Sequence, residues 1–160
     1  EPVLEKLYGG PVSDRLSSYL GKARMVWWHE LMNAVSDSLG ICRFQSVFSS
    51  PHGVGYSQFS RLVALATGLH LSPREIKKAG ERIYTLERLM ITGEGISRTE
   101  DTLPERYFEE PVPEGPSKGE VVSRTQFSTM LDEYYRLHGW DEEGIPTKRT
   151  LKRLGLSNAN

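Results

Sequence analysis

The sequence predicts an all-α fold, irregular in its packing and interrupted by a long Pro/Gly-rich wrapping segment. Three observations point there. Apolar residues recur at steps of three and four, helix-start and helix-stop residues bracket those stretches, and the strong periodicities are helical rather than alternating. Met25, Trp28, Met32, Val35 and Leu39 form the first stripe, and Gly40 behind them can take the left-handed conformation that ends a helix. A shorter helix is expected from Gln58 to Thr67, burying Phe59, Leu62, Val63 and Ala66 before Gly68. The clearest start is Ser72-Pro73-Arg74-Glu75, where Ser72 suits the N-cap, Pro73 the first helical position, and Glu75 completes a capping box. Ile76, Ala79, Ile83, Leu86 and Met90 follow as the expected core stripe. Phe127, Met130, Tyr134 and Leu137 mark a fourth helix, and Thr147 to Leu154 with Gly155 behind it marks a short last one.

Between Thr92 and Thr125 the pattern fails, because Pro104, Pro111, Pro113 and Pro116 lie among Gly93, Gly95, Gly115 and Gly119. Structureless segments longer than about 12–15 residues are uncommon in compact domains. Leu103, Tyr107, Phe108, Val112, Val121 and Val122 give this one too much apolar surface for a solvated linker. An ordered segment wrapped on other protein is expected. The chain is therefore read as one unit over 1–160, with core helices at 22–92, the wrapping segment at 93–125 and C-terminal helices at 126–160.

Composition narrows the function. The chain has 160 residues, with 20 basic and 21 acidic side chains and a net charge of −1, so no global field draws it to nucleic acid or to an anionic membrane. No apolar run reaches the roughly 20 residues that span a bilayer, and no basic–apolar–small signal opens the chain. The first residues, Glu1-Pro2-Val3-Leu4, lack a Met, which suggests a piece of a longer polypeptide. Cys42 is the single cysteine, so an internal disulfide is excluded and a reducing cytoplasm is the simplest setting.

The stretch with most chemistry is Asp37-Ser38-Leu39-Gly40-Ile41-Cys42. A helix stopping at Gly40 puts Asp37 on its last turn, facing the negative end of the helix dipole at a cost of a few tenths to about 1 kcal/mol. Such a carboxylate calls for a cationic or donor-rich partner. Cys42, just beyond, is a soft donor suited to iron in a cluster. Taken alone, though, a single cysteine after a helix reads as a small buried hydrophobe, and one thiolate does not hold a cluster.

The run from Asp37 through Cys42 to Arg43-Phe44 resembles the Asp-x-x-Gly-Leu-Cys pterin-binding motif of the tungsten-containing aldehyde ferredoxin oxidoreductases. Similar blocks follow in the same order: Gly80-Glu81-Arg82-Ile83-Tyr84-Thr85-Leu86-Glu87-Arg88-Leu89, then Asp101-Thr102-Leu103-Pro104-Glu105-Arg106, then Glu109 to Pro116, then Met130-Leu131-Asp132-Glu133-Tyr134-Tyr135 leading into Gly139 to Pro146. The resemblance runs from near Gly21 to Gly155. It implies a C-terminal helical domain of a larger enzyme. Asp37 would hydrogen-bond the amino-pyrimidine edge of one of two pterins that hold tungsten (tungsten bis-pterin, tungstopterin, of the molybdopterin type). Gly40 and Ile41 would shape the backbone against that pterin. Cys42 would be the fourth thiolate of a [4Fe-4S] cluster whose other three cysteines, in a Cys-x-x-Cys-x-x-x-Cys run, lie upstream in the family.

The activity so implied is oxidation of an aldehyde to a carboxylic acid, with electrons leaving through the cluster to ferredoxin. The partners are ferredoxin and the rest of the parent polypeptide, in a parent that is itself oligomeric. No catalytic residue is assigned here, since the family's proton-handling groups lie upstream, and the 160 residues alone are expected to be inactive. Departures from the pattern bear on the substrate. His29 stands where many members carry Gln, and the stretches Tyr8 to Arg15 and Ser49 to Tyr56 have no clear counterpart among aldehyde-oxidising members. The alternatives are a tungsten subunit of a ring-reducing or other carbonyl-acting complex, and a cofactor-free helical interaction domain with its cysteine buried.

Other candidates carry less. His29, Asn33 and Ser36 share a helix face and read as a solvated or interface stripe rather than a proton relay. His52, His70 and His138 have no metal-ligand spacing; His70 and His138 are expected at the surface, and His52 lies in a Gly-rich loop that could line a channel. Lys148, Arg149, Lys152 and Arg153 make the last helix basic, a solvated face or a seat for an acidic ferredoxin. Asp141-Glu142-Glu143-Gly144 reads as a turn rather than a calcium loop, and Trp27 and Trp28 as core and interface.

Overall fold

The computed structural model describes residues 2–13, 15, 18–50 and 52–158. Their order is α1 (Pro2–Tyr8), α2 (Lys22–Ser38), α3 (Tyr56–Thr67), α4 (Pro73–Gly93), the single turn α5 (Arg106–Glu109), α6 (Arg124–His138) and α7 (Lys148–Leu154), with a 3-10 turn at Arg43–Gln45. The fold is all-α as the periodicity predicts. Among the described residues, pairing of the β type is limited to isolated bridges, Ser46 with Val54 and Trp140 with Pro146. No helix there is long and apolar enough to cross a membrane.

α2 is the central strut, touching α1, α4 and α6. Its inward residues Trp28, Met32 and Val35 meet Tyr8, Val12, Phe59, Val63 and Ile76 in the main core. Leu31 and Met32 are fully buried. α4 crosses α2 closely because Gly80 has no side chain: a Cβ there would stand 2.7 Å from the Leu31 carbonyl oxygen. The start of α4 is as expected, with the Ser72 hydroxyl accepting from the Glu75 N–H at 3.2 Å and the Glu75 carboxylate accepting from the Ser72 N–H at 2.7 Å.

The expected core stripe of α4 is only half right. Ile76 is buried and Ile83 half-buried, but Ala79, Leu86 and Met90 are exposed. The face turned inward instead carries Gly80, Thr85 and Arg88. Polar residues can occupy it because Arg88 is fully partnered. Its Nε donates to the Gly144 carbonyl at 2.7 Å and its Nη1 to Asp101 at 2.9 Å, while Nη2 and the Tyr135 hydroxyl share the second Asp101 oxygen. The guanidinium also lies 5.2 Å from the Trp140 ring centre. On α3, Leu62 and Ala66 are likewise exposed rather than core, for the inward face is Phe59 and Val63 with half-buried Tyr56 beside them.

His138 corrects the surface expectation. It is 4% exposed, stacked between Trp140 (ring centres 4.3 Å) and Tyr84 (5.5 Å), with Nε2 3.2 Å from a Glu30 carboxylate oxygen. It follows Tyr135 by three positions on α6, so both share the face that α6 turns to α2 and α4. The His29 stripe is not solvated either. Ser36 is fully buried, and His29 packs against Phe48 at 5.0 Å with its Nε2 3.0 Å from the Tyr8 hydroxyl. Trp28 is core, whereas Trp27 is half-buried under Lys77, whose ammonium sits 4.2 Å above its ring. Asp141 closes its turn by accepting from the Glu143 and Ile145 N–H groups at 3.0 and 2.9 Å.

The Pro/Gly-rich segment is pinned at intervals. Asp101 holds its start through Arg88, Phe108 packs edge-on against Phe127 at 5.7 Å, and the Val122 N–H donates to the Tyr107 carbonyl at 2.8 Å. The Ser123 N–H reaches the Tyr19 hydroxyl at 2.9 Å. Its apolar residues Tyr107, Val112 and Val121 border an open cleft of about 830 Å³ together with Val26 and Met130.

Two stability tests follow from Arg88. Removing one member of a buried, hydrogen-bonded ion pair costs roughly 3–5 kcal/mol. Asp101 keeps some solvent access, so Arg88→Met is expected near the lower bound, read as a shift of the urea midpoint. Burial opposes ionisation of Asp101, but hydrogen bonds from Arg88 and Tyr135 outweigh it and hold the carboxyl below its ordinary 3.8. A depressed folded value means that the stabilisation is complete above pH 3.8 and is lost as pH falls through the folded value. Stability measured through that acid range should fall more steeply in the unsubstituted protein than in Asp101→Asn.

Candidate cofactor-binding site

The C-terminal end of α2 is built by a glycine in the left-handed region. Gly40 has φ +67°, its N–H donates to the Asp37 carbonyl at 3.1 Å, and the Ile41 N–H donates back to the Ser36 carbonyl at 2.9 Å. These two bonds form a Schellman motif, which satisfies carbonyls the helix leaves open. A Cβ at Gly40 would meet nothing within 4 Å, so it is the backbone conformation and not crowding that calls for glycine.

Beyond the glycine the chain divides inward and outward. Ile41 turns in and packs against the main core. Cys42 stands exposed as a free thiol, in extended backbone at φ −58° and ψ 125°. Its carbonyl accepts from the Gln45 N–H at 3.0 Å and starts the 3-10 turn. The following loop is tied down by buried Ser46, whose hydroxyl donates to the Arg43 carbonyl at 2.6 Å, and by pairing with Val54. The Val54 N–H donates to the Gln45 carbonyl at 2.9 Å, and the Val47 N–H to the Val54 carbonyl at 3.1 Å. Gly53 permits this pairing, since any Cβ there would strike the Ser46 carbonyl. Cys42 is thus held between a core-anchored residue and a pinned loop. His52, on that loop, is exposed.

Asp37 is exposed at the negative end of α2, and among the described residues no Lys, Arg or His nitrogen lies within salt-bridge range of it. Leu39 and Phe44 flank it at 37% and 72% exposure. Asp37, Gly40 and Cys42 are all exposed within one short turn of chain, an open ledge that half-buried Ile41 anchors against the core. Among the described residues no three His, Cys, Asp or Glu side chains converge on a metal-sized space, so Cys42 has no co-ligands among them. The pairing of 46 with 54 was not anticipated, although Gly53 and Gly55 in the sequence marked a place where backbones meet.

The structure is thus a helical domain that presents a carboxylate and a thiol at the exposed end of α2. The chain belongs to the aldehyde ferredoxin oxidoreductase family: residues 3–156 match the family model described as "Aldehyde ferredoxin oxidoreductase, domains 2 & 3". It is 40% identical over 136 residues to a tungsten-containing aldehyde ferredoxin oxidoreductase of Pyrococcus horikoshii, a match covering 84% of this chain and 21% of that protein. It is 31% identical to the WOR-like subunit of an aliphatic sulfonate oxidoreductase of Pyrococcus furiosus, covering 81% of this chain and 21% of that one. Among solved structures it resembles the active-site complex BamBC of benzoyl coenzyme A reductase, with a TM-score of 0.74, 25% identity, and coverage of 99% of this chain and 24% of that chain. The chain thus spans about a fifth of the length of the curated relatives it matches.

The ledge geometry makes its own prediction. A residue with a Cβ at φ +67° costs about 1–2 kcal/mol, while Asn tolerates that region better. Gly40→Ala should lower the urea midpoint by that amount, and Gly40→Asn by clearly less.

Proposed function

We propose that this domain completes the cofactor site of a tungsten-dependent oxidoreductase that converts aldehydes and water to carboxylic acids and delivers the electrons to ferredoxin. The observation that carries the reading is the exposed pairing of Asp37 and Cys42 around a rigid Schellman turn, in a chain of this family. The residues fit the groups they would meet. Asp37 is a carboxyl acceptor with no Lys, Arg or His nitrogen in salt-bridge range among the described residues, suited to the N–H edge of a pterin. Gly40 leaves open space above the backbone where a planar ring can approach. Cys42 is a solvent-facing thiol, suited as one of the four thiolates of a [4Fe-4S] cluster. When bound, the tungsten-pterin centre and the cluster supply the two-electron oxidation and its one-electron outlet.

The work left to this chain is positional. Ile41, seated in the core, fixes the distance between the acceptor at 37 and the donor at 42. The pinned loop keeps the thiol from swinging, and the carboxylate orients a ring edge by charge-assisted hydrogen bonds. The exposed thiol also argues against the cofactor-free alternative, which relied on a buried cysteine.

A second reading keeps the family and changes the reaction. The likeness to BamBC covers 99% of the chain, at a TM-score of 0.74. On this reading the parent is the tungsten subunit of a ring-reducing or other carbonyl-acting complex. Assay of the full-length parent with a panel of aldehydes and a viologen acceptor separates the two, since turnover of no aldehyde supports the second.

The cofactor assignment has a direct test in the full-length parent. Metal analysis should find tungsten, or molybdenum, with about four irons per chain, and finding neither metal nor iron overturns it. Cys42→Ala should abolish the electron paramagnetic resonance signal of the reduced cluster. A charge-assisted hydrogen bond contributes about 1.5–3 kcal/mol, so Asp37→Asn should lower tungsten retention after dialysis roughly tenfold or more. The 160 residues alone should show no turnover and no cluster absorption.

A further inference from the structure

The apolar surface of α3 is wider than the part the core covers. Its sequence, Tyr56–Thr67, contains Arg61 as its one charged residue. Phe59 and Val63 face the core at 0% and 8% exposure. Beside that face, away from the polar Ser57, Ser60, Arg61 and Thr67, lie Leu62, Leu65 and Ala66, with Leu69 just past Gly68. Leu62, Leu65 and Leu69 are 45%, 84% and 58% exposed. A contiguous exposed apolar ridge marks a contact surface, unlike apolar side chains scattered singly.

We infer that the Leu62–Leu65–Leu69 ridge is the seat of the remaining part of the same polypeptide. Three occupants compete, and the observations separate them. A membrane-surface helix needs a Lys/Arg-rich polar face, and α3 has Arg61 alone. A free-standing dimer buries on the order of 800 Å² per partner, more than a few side chains of one short helix supply. Segments joined in one polypeptide meet at high effective concentration, so a small apolar seat suffices as part of an interdomain contact. The curated relatives extend far beyond the matched region, since the match covers 21% of their length. α3 also follows directly on the loop pinned by Ser46 and Val54, so a body seated on this ridge lies next to the chain that carries Cys42. The inference rests on family membership and not on the cofactor assignment.

The test uses the full-length parent. Leu65→Cys is introduced and its alkylation by a maleimide is compared in native and guanidinium-unfolded protein, with the unsubstituted parent as blank. The seat predicts native labelling at least roughly tenfold slower than unfolded labelling, independent of protein concentration. Labelling within tenfold of the unfolded rate overturns it. So does a slowing that disappears on dilution, which assigns the ridge to a second copy. Hydroxyl-radical footprinting of the Leu62, Leu65 and Leu69 side chains in the unsubstituted parent gives the same comparison without a substitution. Tungsten and iron measured on the same samples keep the outcomes apart: protection without metal sustains the seat and removes the cofactor reading, and metal without protection does the reverse.

Discussion

The close crossing of α4 over α2 at Gly80 is the constraint on which the rest of the fold depends. With a Cβ only 2.7 Å from the Leu31 carbonyl, any other residue there forces the two longest helices apart. That separation would not stay local, because interiors are packed to the density of organic crystals and redistribute strain poorly. Ile76, one turn before Gly80, would leave the cluster of Trp28, Met32 and Val35. Arg88, two turns beyond, would be drawn from the Gly144 carbonyl and from Asp101. One glycine therefore ties the main core to the anchoring of the wrapping segment.

The inner face of α4 changes character along its length: Ile76 and Gly80 meet α2, and two turns beyond Gly80 the buried residue is Arg88. A buried guanidinium is costly unless paired and hydrogen-bonded. Here each arm has a partner, and the partners come from different stretches: Asp101 from the segment after α4, Tyr135 from α6 and Gly144 from the turn before α7. The arrangement fixes one register among several elements that share little apolar surface. Glu30, reached by the Tyr134 hydroxyl at 3.0 Å and by His138, ties α6 to α2 in the same manner.

How much of this was legible in the sequence follows from which forces leave local marks. The existence of α2, α3, α4, α6 and α7 was legible because caps and stops are local: Ser72 with Glu75, Thr147, Gly40 and Gly155 act on their own turns. The short α1 and the uncapped single turn α5 were not legible. The facing of the helices was less so. The stripe of Ala79, Leu86 and Met90 has the period of a core face, yet it lies outside because the polar side opposite is satisfied by residues distant in sequence. His138 was misplaced for the same reason, since its partners Glu30 and Tyr84 are far along the chain. At the candidate site, the helix stop, the stranded carboxylate and the thiol were all visible, while the pinned loop behind them depends on the pairing of Ser46 with Val54 and was not.

The ledge at Asp37 and Cys42 is rigid before anything binds to it, and that bears on how a divided site can work. When groups from separate parts of a protein meet on one cofactor, each loose group adds an ordering cost that weakens the site. Here the Schellman bonds fix the turn, Ile41 is seated in the core, and the loop after Cys42 is closed by its own hydrogen bonds. Little conformational freedom is left to lose at the donor atoms beyond the rotamers of one short carboxylate and one thiol. On the proposed cofactor reading, the surrounding shell and not the donors sets the geometry, as it does where outer contacts orient metal ligands. Asp37 and Cys42 can then be few and exposed because the fold beneath them is ordered by the crossing of α2 and α4.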